Sequence, residues 1–368
     1  MKILFIRYKK SKNILEGGEQ CSQRNYSILE LLVGKENITT YYIHDESVKK
    51  TIFDYLKGLF YFVQNYYFGL SPKRTSEIVN MAIPYDTVFI DRSVFGIISK
   101  KLKENNYKGK VISFFHNLEY DYFNAKMRKY QIGRNIILRC VDKNDMYSCK
   151  YSDSIIVLND RDRKAVYERY NREADIVIPI TFTDKYNRKE YPIEYTRKKV
   201  QCLFLGAYFP PNNIGIDWFV KNVYPHVDVD VKIVGKGMSK LRDNFNIPQT
   251  IEIFSDIPDL EPYFEDADVM ILPIFAGGGM KVKTCESLMY GKNIIGTNEA
   301  FEGYELDYDK VGGKCNTSEE FIQRIQEIAE NPVPRFNIYS RQVFLENYSE
   351  DVVVKLFSQV LGVFAEKS

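Results

Sequence analysis

Short apolar runs alternate with longer amphipathic stretches along the whole chain. The runs are four to seven residues long and rich in Val, Ile and Phe, as strands buried on both faces of a parallel sheet should be. In the first half the pattern predicts strands at Lys2–Arg7, Ile38–Ile43, Thr87–Asp91, Lys110–Phe115, Ser154–Asn159 and Asp175–Pro179. In the second half it predicts Gln201–Gly206, Val231–Gly235, Ile251–Phe254, Val269–Pro273 and Asn293–Thr297. Stretches between them, such as Ile214–Val223 and Leu260–Ala267, carry the helical period and complete βαβ units. Thr181–Lys199, with Asp184, Lys185, Asn187, Arg188, Lys189 and Pro192, is polar, lacks a sustained period and reads as a linker. The pattern therefore predicts an α/β chain of two doubly wound domains.

A length of 368 residues suits two domains better than one core. The formal net charge of +2 argues against a nucleic-acid partner, since such proteins carry a basic excess. That near-neutrality hides a split: residues 1–180 hold 30 Lys/Arg against 21 Asp/Glu, and residues 200–368 hold 15 against 25. A basic first half and an acidic second half suggest two domains with different ligands. The opening apolar run is too short for a signal peptide before Arg7, Lys9 and Lys10, and no stretch approaches a membrane span. The six cysteines have no paired spacing and the three histidines lie far apart. The expectation is reduced thiols in a cytoplasmic protein, with no metal site.

In open parallel sheets ligands gather at the carboxyl ends of strands, so the loops just after strands are the informative ones. Three stand out. In Glu16-Gly17-Gly18-Glu19-Gln20, ahead of a helical pattern beginning near Ser22, two glycines allow close backbone approach to an anion at a helix start; a flexible turn is the other reading. His116 ends the run Lys110–Phe115, where an imidazole serves either a phosphate or sugar hydroxyl or a purely structural bond. The third loop, Pro273 to Lys292, carries Gly277, Gly278 and Gly279, then Met280, Lys281, Lys283 and Glu286 on a helix ended by Gly291. Consecutive N–H groups at such a start suit a diphosphate, the lysines add charge, and Glu286 could accept from two ribose hydroxyls. A surface helix with a Lys–Glu pair is the alternative, but three glycines entering a helix are costly without a need for backbone closeness. Asp228/Asp230 and Asp266/Asp268 precede or overlap strands and read as strand-edge solvation, not metal ligands.

Residues 49–74 hold eight aromatics and a charge of +4. A helix with Phe53, Leu56, Phe60 and Val63 on one side and Lys50 and Lys57 elsewhere suits an anionic membrane surface, or core packing beside an acceptor groove. Core packing is the commoner fate of such stripes.

Together these residues resemble the retaining glycosyltransferases of family 4 (bacterial group 1 glycosyltransferases) with the GT-B fold. The likeness runs from Phe204 through Gly215 and Trp218–Phe219, over Ile233–Gly237, Asp256–Leu260 and Tyr263–Val269, to Gly277–Gly291, with Gly17, Gly18 and His116 as scattered matches upstream.

The resemblance implies two Rossmann-like doubly wound domains facing each other across a cleft. The acceptor-side domain would span residues 1–185, and the nucleotide-sugar domain residues 186–349. A terminal helix near 350–368 would cross back to the first domain. It implies a hexosyltransferase-type transferase that moves a sugar from a UDP- or GDP-sugar to a glycan or lipid-linked acceptor hydroxyl, with retention of configuration. No cofactor would be required. The work would be polysaccharide biosynthesis in the cytoplasm, peripheral at the inner face of the membrane. A GT-B sugar-nucleotide epimerase and a non-catalytic donor-binding subunit are the alternatives. By the same resemblance His116 and Lys281 are catalytic, His116 toward the donor sugar. Gly17, Gly18, Gly278, Gly279, Met280 and Lys283 contact diphosphate or sugar, Glu286 the ribose, and Asp256–Ile257 border the base. Two departures stand out. Gly278 occupies the place of the first glutamate of the usual spaced pair. Ala207, Tyr208 and Asn213 fill the region where an Arg and a Lys usually grip the diphosphate, which leaves Lys281 and Lys283 to compensate.

Overall fold

The computed structural model describes residues 1–9, 17–44, 58, 60–127, 133–186, 194–277 and 279–363. It contains two compact units, one formed by Met1–Pro179 with the chain from Val353 onward, the other by Ile180–Val352. Each is built on a six-stranded parallel sheet with helices around it.

In the first unit the order is β2-β1-β3-β4-β5-β6, with β1 Ile3–Lys9, β2 Ile38–His44, β3 Thr87–Ile90, β4 Lys110–Phe115, β5 Ser154–Val157 and β6 Ile176–Val177. β3 and β5 are buried at every position, which is why they read as unbroken apolar runs. Leu4, Ile6, Val88 and Ile90 pack on one side against Ile78, Phe95, Ile98 and Leu102 from covering helices. Phe5 and Phe89 stack at 5.5 Å on the sheet. Phe357, from the terminal helix Glu350–Leu361, stacks at 6.1 Å on Phe89 and at 6.4 Å on Phe114.

The second unit has the order β12-β11-β10-β7-β8-β9, with β7 Val200–Leu205, β8 Val229–Gly235, β9 Glu252–Ser255, β10 Val269–Leu272, β11 Asn293–Gly296 and β12 Gly312–Lys314. The crossover at the sheet centre sets β7 and β10 side by side, Cys202 against Val269. All eleven expected strands form, ten of them with ends that differ by one or two residues. The twelfth, β12, was not anticipated because Gly-Gly-Lys has no apolar pattern.

Three expectations are corrected. Helix α1 runs Gly17–Val33, so the glycine pair opens the helix instead of forming a loop before Ser22. Buried Glu19 is fixed there by Arg92 at 3.2 Å and Arg7 at 3.6 Å, and these ion pairs anchor the first turn. The first part of the expected linker, residues 181–186, is packed into the second unit. Thr181 is buried and bonds the Tyr348 carbonyl, Asp184 binds Arg341, and Tyr186 lies 5.1 Å from the Phe336 ring. The polar content of Thr181 and Asp184 reflects these partners, not solvent, whereas Glu194, Arg197, Lys198 and Lys199 are exposed; residues 187–193 lie outside the described residues. Asp268 is fully buried, not strand-edge solvation: it takes Arg335 at 2.9 Å and the Gln201 N–H at 2.9 Å, so it is an internal anchor.

Of the aromatic segment, residues 49–57 and 59 lie outside the described residues. Phe60 and Val63 are exposed at 62% and 61%, whereas Phe62 and Leu70 are buried. No helix among the described residues is long and apolar enough to cross a membrane.

Candidate functional site

Chemistry-bearing residues of the second unit collect where β7 and β10 end. β7 runs through Gly206-Ala207-Tyr208-Phe209 into α2, Pro210–Asn222, which starts on two prolines suited to a first turn. The Gly206 N–H donates to the Val234 carbonyl and the Tyr208 N–H to the Lys236 carbonyl, so the loop is tied to the end of β8. Asn212 Nδ2 donates to the Ala207 carbonyl at 2.8 Å and braces it from within.

β10 runs through Pro273–Lys281 into α3, Val282–Met289. Thr284, Cys285, Leu288 and Met289 face the interior and fix the helix on the sheet. The Tyr304 hydroxyl donates to the Lys281 carbonyl at 2.7 Å, and Thr284 Oγ1 to the Ala300 carbonyl at 2.7 Å. At the far end Arg341 donates to the Met289 carbonyl at 2.8 Å. Gly279 has φ +62°, in the left-handed region that favours glycine. Met280 is buried, and Gly278 lies outside the described residues.

The cations of this loop point to different places. Lys281 Nζ is 2.6 Å from Glu299 and 2.7 Å from the Gly279 carbonyl. Lys283 Nζ donates to Asn212 Oδ1 at 2.6 Å and lies 4.3 Å from the centroid of the Phe204 ring. Burial, with Lys281 adding, pushes the Lys283 ammonium down to about 7. Burial pushes Glu286 up to about 7, against the pull of Lys185 and Lys283. Lys281 and Lys283 together border the glycine turn and the start of α3, with Glu286 one turn along. A set of N–H groups, two cations and one carboxylate can hold a diphosphate and the hydroxyls next to it.

Asp256 sits apart, after β9, at φ +59°. Its carboxylate accepts from the Ser255 hydroxyl at 2.7 Å and from the Gly237 N–H at 3.3 Å, so it ties two loops of the same sheet end together. Ile257 beside it is half-buried.

The first unit has its own polar cluster at the same end of its sheet. His116 follows β4, is 4% exposed, and its Nε2 lies 3.3 Å from Asp91 Oδ1 just after β3. Asn25 Nδ2 donates to the same oxygen at 2.7 Å, and Arg24 Nη2 reaches Cys21 Sγ at 3.3 Å. Burial alone would lower the His116 imidazolium, but the charges of Cys21 and Asp91 outweigh it and raise it. Gly18 is small because Arg92 passes over it: a side-chain carbon there would lie 2.8 Å from Arg92 Nη2.

Sequence reasoning missed Asn212, Glu299, Asp91 and Cys21. Asn212 was hidden in an ordinary helix-start string, and Glu299 lies 18 residues after its lysine, so no local spacing pairs them. Among the described residues no group of three or more His, Cys, Asp and Glu could hold a metal ion.

Residues 199–331 match the family model described as "Glycosyl transferases group 1". No curated protein matches the sequence. The structure is similar to that of Anabaena HepE in complex with UDP, at 14% identity and TM-score 0.67, covering 98% of this chain and 100% of that one. Sucrose-phosphate synthase from Thermosynechococcus elongatus is similar at 11% identity and TM-score 0.71, with 98% of each chain covered. The lipopolysaccharide outer core galactosyltransferase WaaB gives 12% identity and TM-score 0.63 over 98% and 99% of the two chains. The fold is thus the α/β, two-domain architecture of these GT-B structures: the sequence pattern anticipated the two doubly wound domains, and the resemblance the GT-B fold. HepE has also been solved with UDP-glucose.

Proposed function

We propose that the protein is a glycosyltransferase. On this reading it moves a sugar from a UDP- or GDP-sugar to a hydroxyl of a glycan or lipid-linked saccharide, with retention of configuration, in cell-surface polysaccharide synthesis. The observation that carries the reading is the arrangement at the start of α3, where Gly279, Lys281, Lys283 and Glu286 stand together inside the segment that matches the family model.

On this reading the N–H groups around Gly278, Gly279 and Met280 bind the diphosphate with Lys281 and Lys283, Glu286 accepts from the ribose, and Asp256–Ile257 border the base. Gly17, Gly18 and His116 carry over from the resemblance as contacts of the diphosphate and the transferred sugar. The bond from the anomeric carbon to the phosphate oxygen breaks with its electron pair going to the diphosphate. The acceptor oxygen bonds the anomeric carbon on the same face, and its proton passes to the departing phosphate oxygen. The protein's share is electrostatic: N–H groups and cations aimed at the charge that develops. No side chain is assigned as a covalent nucleophile. The two units divide the chain as donor-side and acceptor-side domains in this proposal. The exposed Phe60 and Val63 support a site of attachment to the inner face of a membrane, with the enzyme in the cytoplasm.

A thermal-shift panel of UDP-, GDP- and ADP-sugars tests the donor site, and stabilisation by none of them overturns it. Product analysis with donor alone and with a saccharide acceptor then separates the activities. A new glycosidic bond with retained configuration is expected. An epimerised sugar nucleotide without acceptor, or binding without any turnover, would replace transfer by the corresponding alternative.

A further inference from the structure

Lys283 and Glu286 stand one turn apart at the start of α3, and each lacks the partner its charge calls for. The Lys283 ammonium faces a neutral amide, Asn212 Oδ1 at 2.6 Å, and the Phe204 ring at 4.3 Å. A side-chain carbon at Gly206 would lie 3.0 Å from its Nζ, so the helix carries this lysine into the mouth of the loop after β7. That loop holds Ala207 and Tyr208 and no cation of its own. Among the described residues Glu286 has no hydrogen bond or ion pair. The charged groups that face the two are each other, with opposite charge but no ion-pair contact, Lys281, paired with Glu299, and Lys185 beside Glu286.

A half-buried ammonium whose hydrogen-bond partner is a neutral amide, and a half-buried carboxylate without donors among the described residues, are both pushed toward their neutral forms. A nucleoside diphosphate carries what each lacks: phosphate oxygens to accept from the lysine, and ribose hydroxyls to donate to the glutamate. We propose that binding of a nucleoside diphosphate drives opposite proton exchanges at this pair. Lys283 gains a proton from solvent to serve the phosphates, and Glu286 gives one up to accept from the ribose. Asn212 is the positioning residue that holds Lys283 over the loop. The proposal rests on the reading that the second unit binds a nucleotide-sugar.

The sign of the exchange depends on pH. At pH 8 Lys283 is mainly neutral and Glu286 mainly ionised, so binding takes up close to one proton; at pH 6 both are mainly protonated and binding releases close to one. The test is calorimetry of UDP, with GDP in parallel, on the full chain at both pH values in buffers of different ionisation enthalpy. Uptake at pH 8 is expected, and at pH 6 a release larger than UDP supplies by itself, since its own terminal phosphate titrates at about pH 6. Lys283→Met should abolish the uptake and keep the release, and Glu286→Gln should keep the uptake and cut the release at pH 6 to the part that UDP itself supplies. Asn212→Asp places a carboxylate beside Lys283 and keeps it charged beforehand. Uptake at pH 8 should vanish while UDP still binds, which a merely structural asparagine would not produce. If Lys283→Met fails to bind, Asn212→Asp supplies the comparison. Binding with no uptake at pH 8, and with equal release at pH 6 by the parent protein and by Glu286→Gln, overturns this inference alone. Failure of both UDP and GDP to bind overturns the donor-site reading and this inference with it.

Discussion

The Lys281 ammonium lies 2.6 Å from the Glu299 carboxylate and 2.7 Å from the Gly279 carbonyl, so one side chain fastens the glycine turn to the loop after β11. Glu299→Ala removes one end of this tie. The expected outcome is a turn less well held for a diphosphate, with UDP-sugar affinity down about 10-fold, the scale of one charge-assisted hydrogen bond. Calorimetry on the folded variant checks it. Affinity equal to that of the parent protein would show that the tie serves only stability.

Gly279→Val forces a β-branched residue into φ +62° and places bulk where the diphosphate is expected. The backbone strain should cost about 1–3 kcal/mol. UDP binding should be lost by calorimetry while circular dichroism shows the fold retained. Full turnover in this variant would contradict the diphosphate site.

Glu286→Ala should weaken binding of UDP by about 1.5–3 kcal/mol, the usual worth of hydrogen bonds to a charged group. Binding of inorganic pyrophosphate should be nearly unaffected, because it has no ribose. An equal loss for both ligands would reassign Glu286 to the shape of the helix.

Asp91→Asn tests the buried pair in the first unit. His116 titrates above its ordinary value in the folded protein, so the stability it contributes is fully present below about pH 6.5, its unfolded value, and fades as pH rises through the folded one. Removing Asp91 should cost about 3–5 kcal/mol at pH 6, as breaking a buried pair does. The difference from the parent protein in urea unfolding should narrow steadily above pH 7. A pH-independent difference would place Asp91's role in its bond from Asn25.

Lys292 is 5% exposed, with its ammonium pushed down to about 7 by burial and by the nearby Arg335. The unfolded chain therefore binds the extra proton between about pH 7 and 10.4, and stability on this account rises with pH through that window. Lys292→Met should raise the melting temperature at pH 7 and below. The gain should shrink toward pH 10, measured by scanning calorimetry across pH. Loss of stability at every pH would show that the ammonium is satisfied after all.

The apolar runs by themselves determined eleven of the twelve strands and the doubly wound class. A parallel strand buried on both faces must be written as consecutive Val, Ile and Phe, as in Val269–Leu272 and Ser154–Val157. The glycine turn and the helix after it were legible too, since glycines entering a helix and another ending it are local signals. What the tertiary structure decided was pairing. Lys283 meets Asn212 across 71 positions, Lys281 meets Glu299, and His116 meets Asp91, because a parallel sheet brings the ends of distant strands together. The same holds for Thr181, Asp184 and Tyr186, whose polar appearance suggested a linker. Their partners Tyr348, Arg341 and Phe336 lie 150 or more residues on, so local sequence could not distinguish a satisfied polar group from a solvated one.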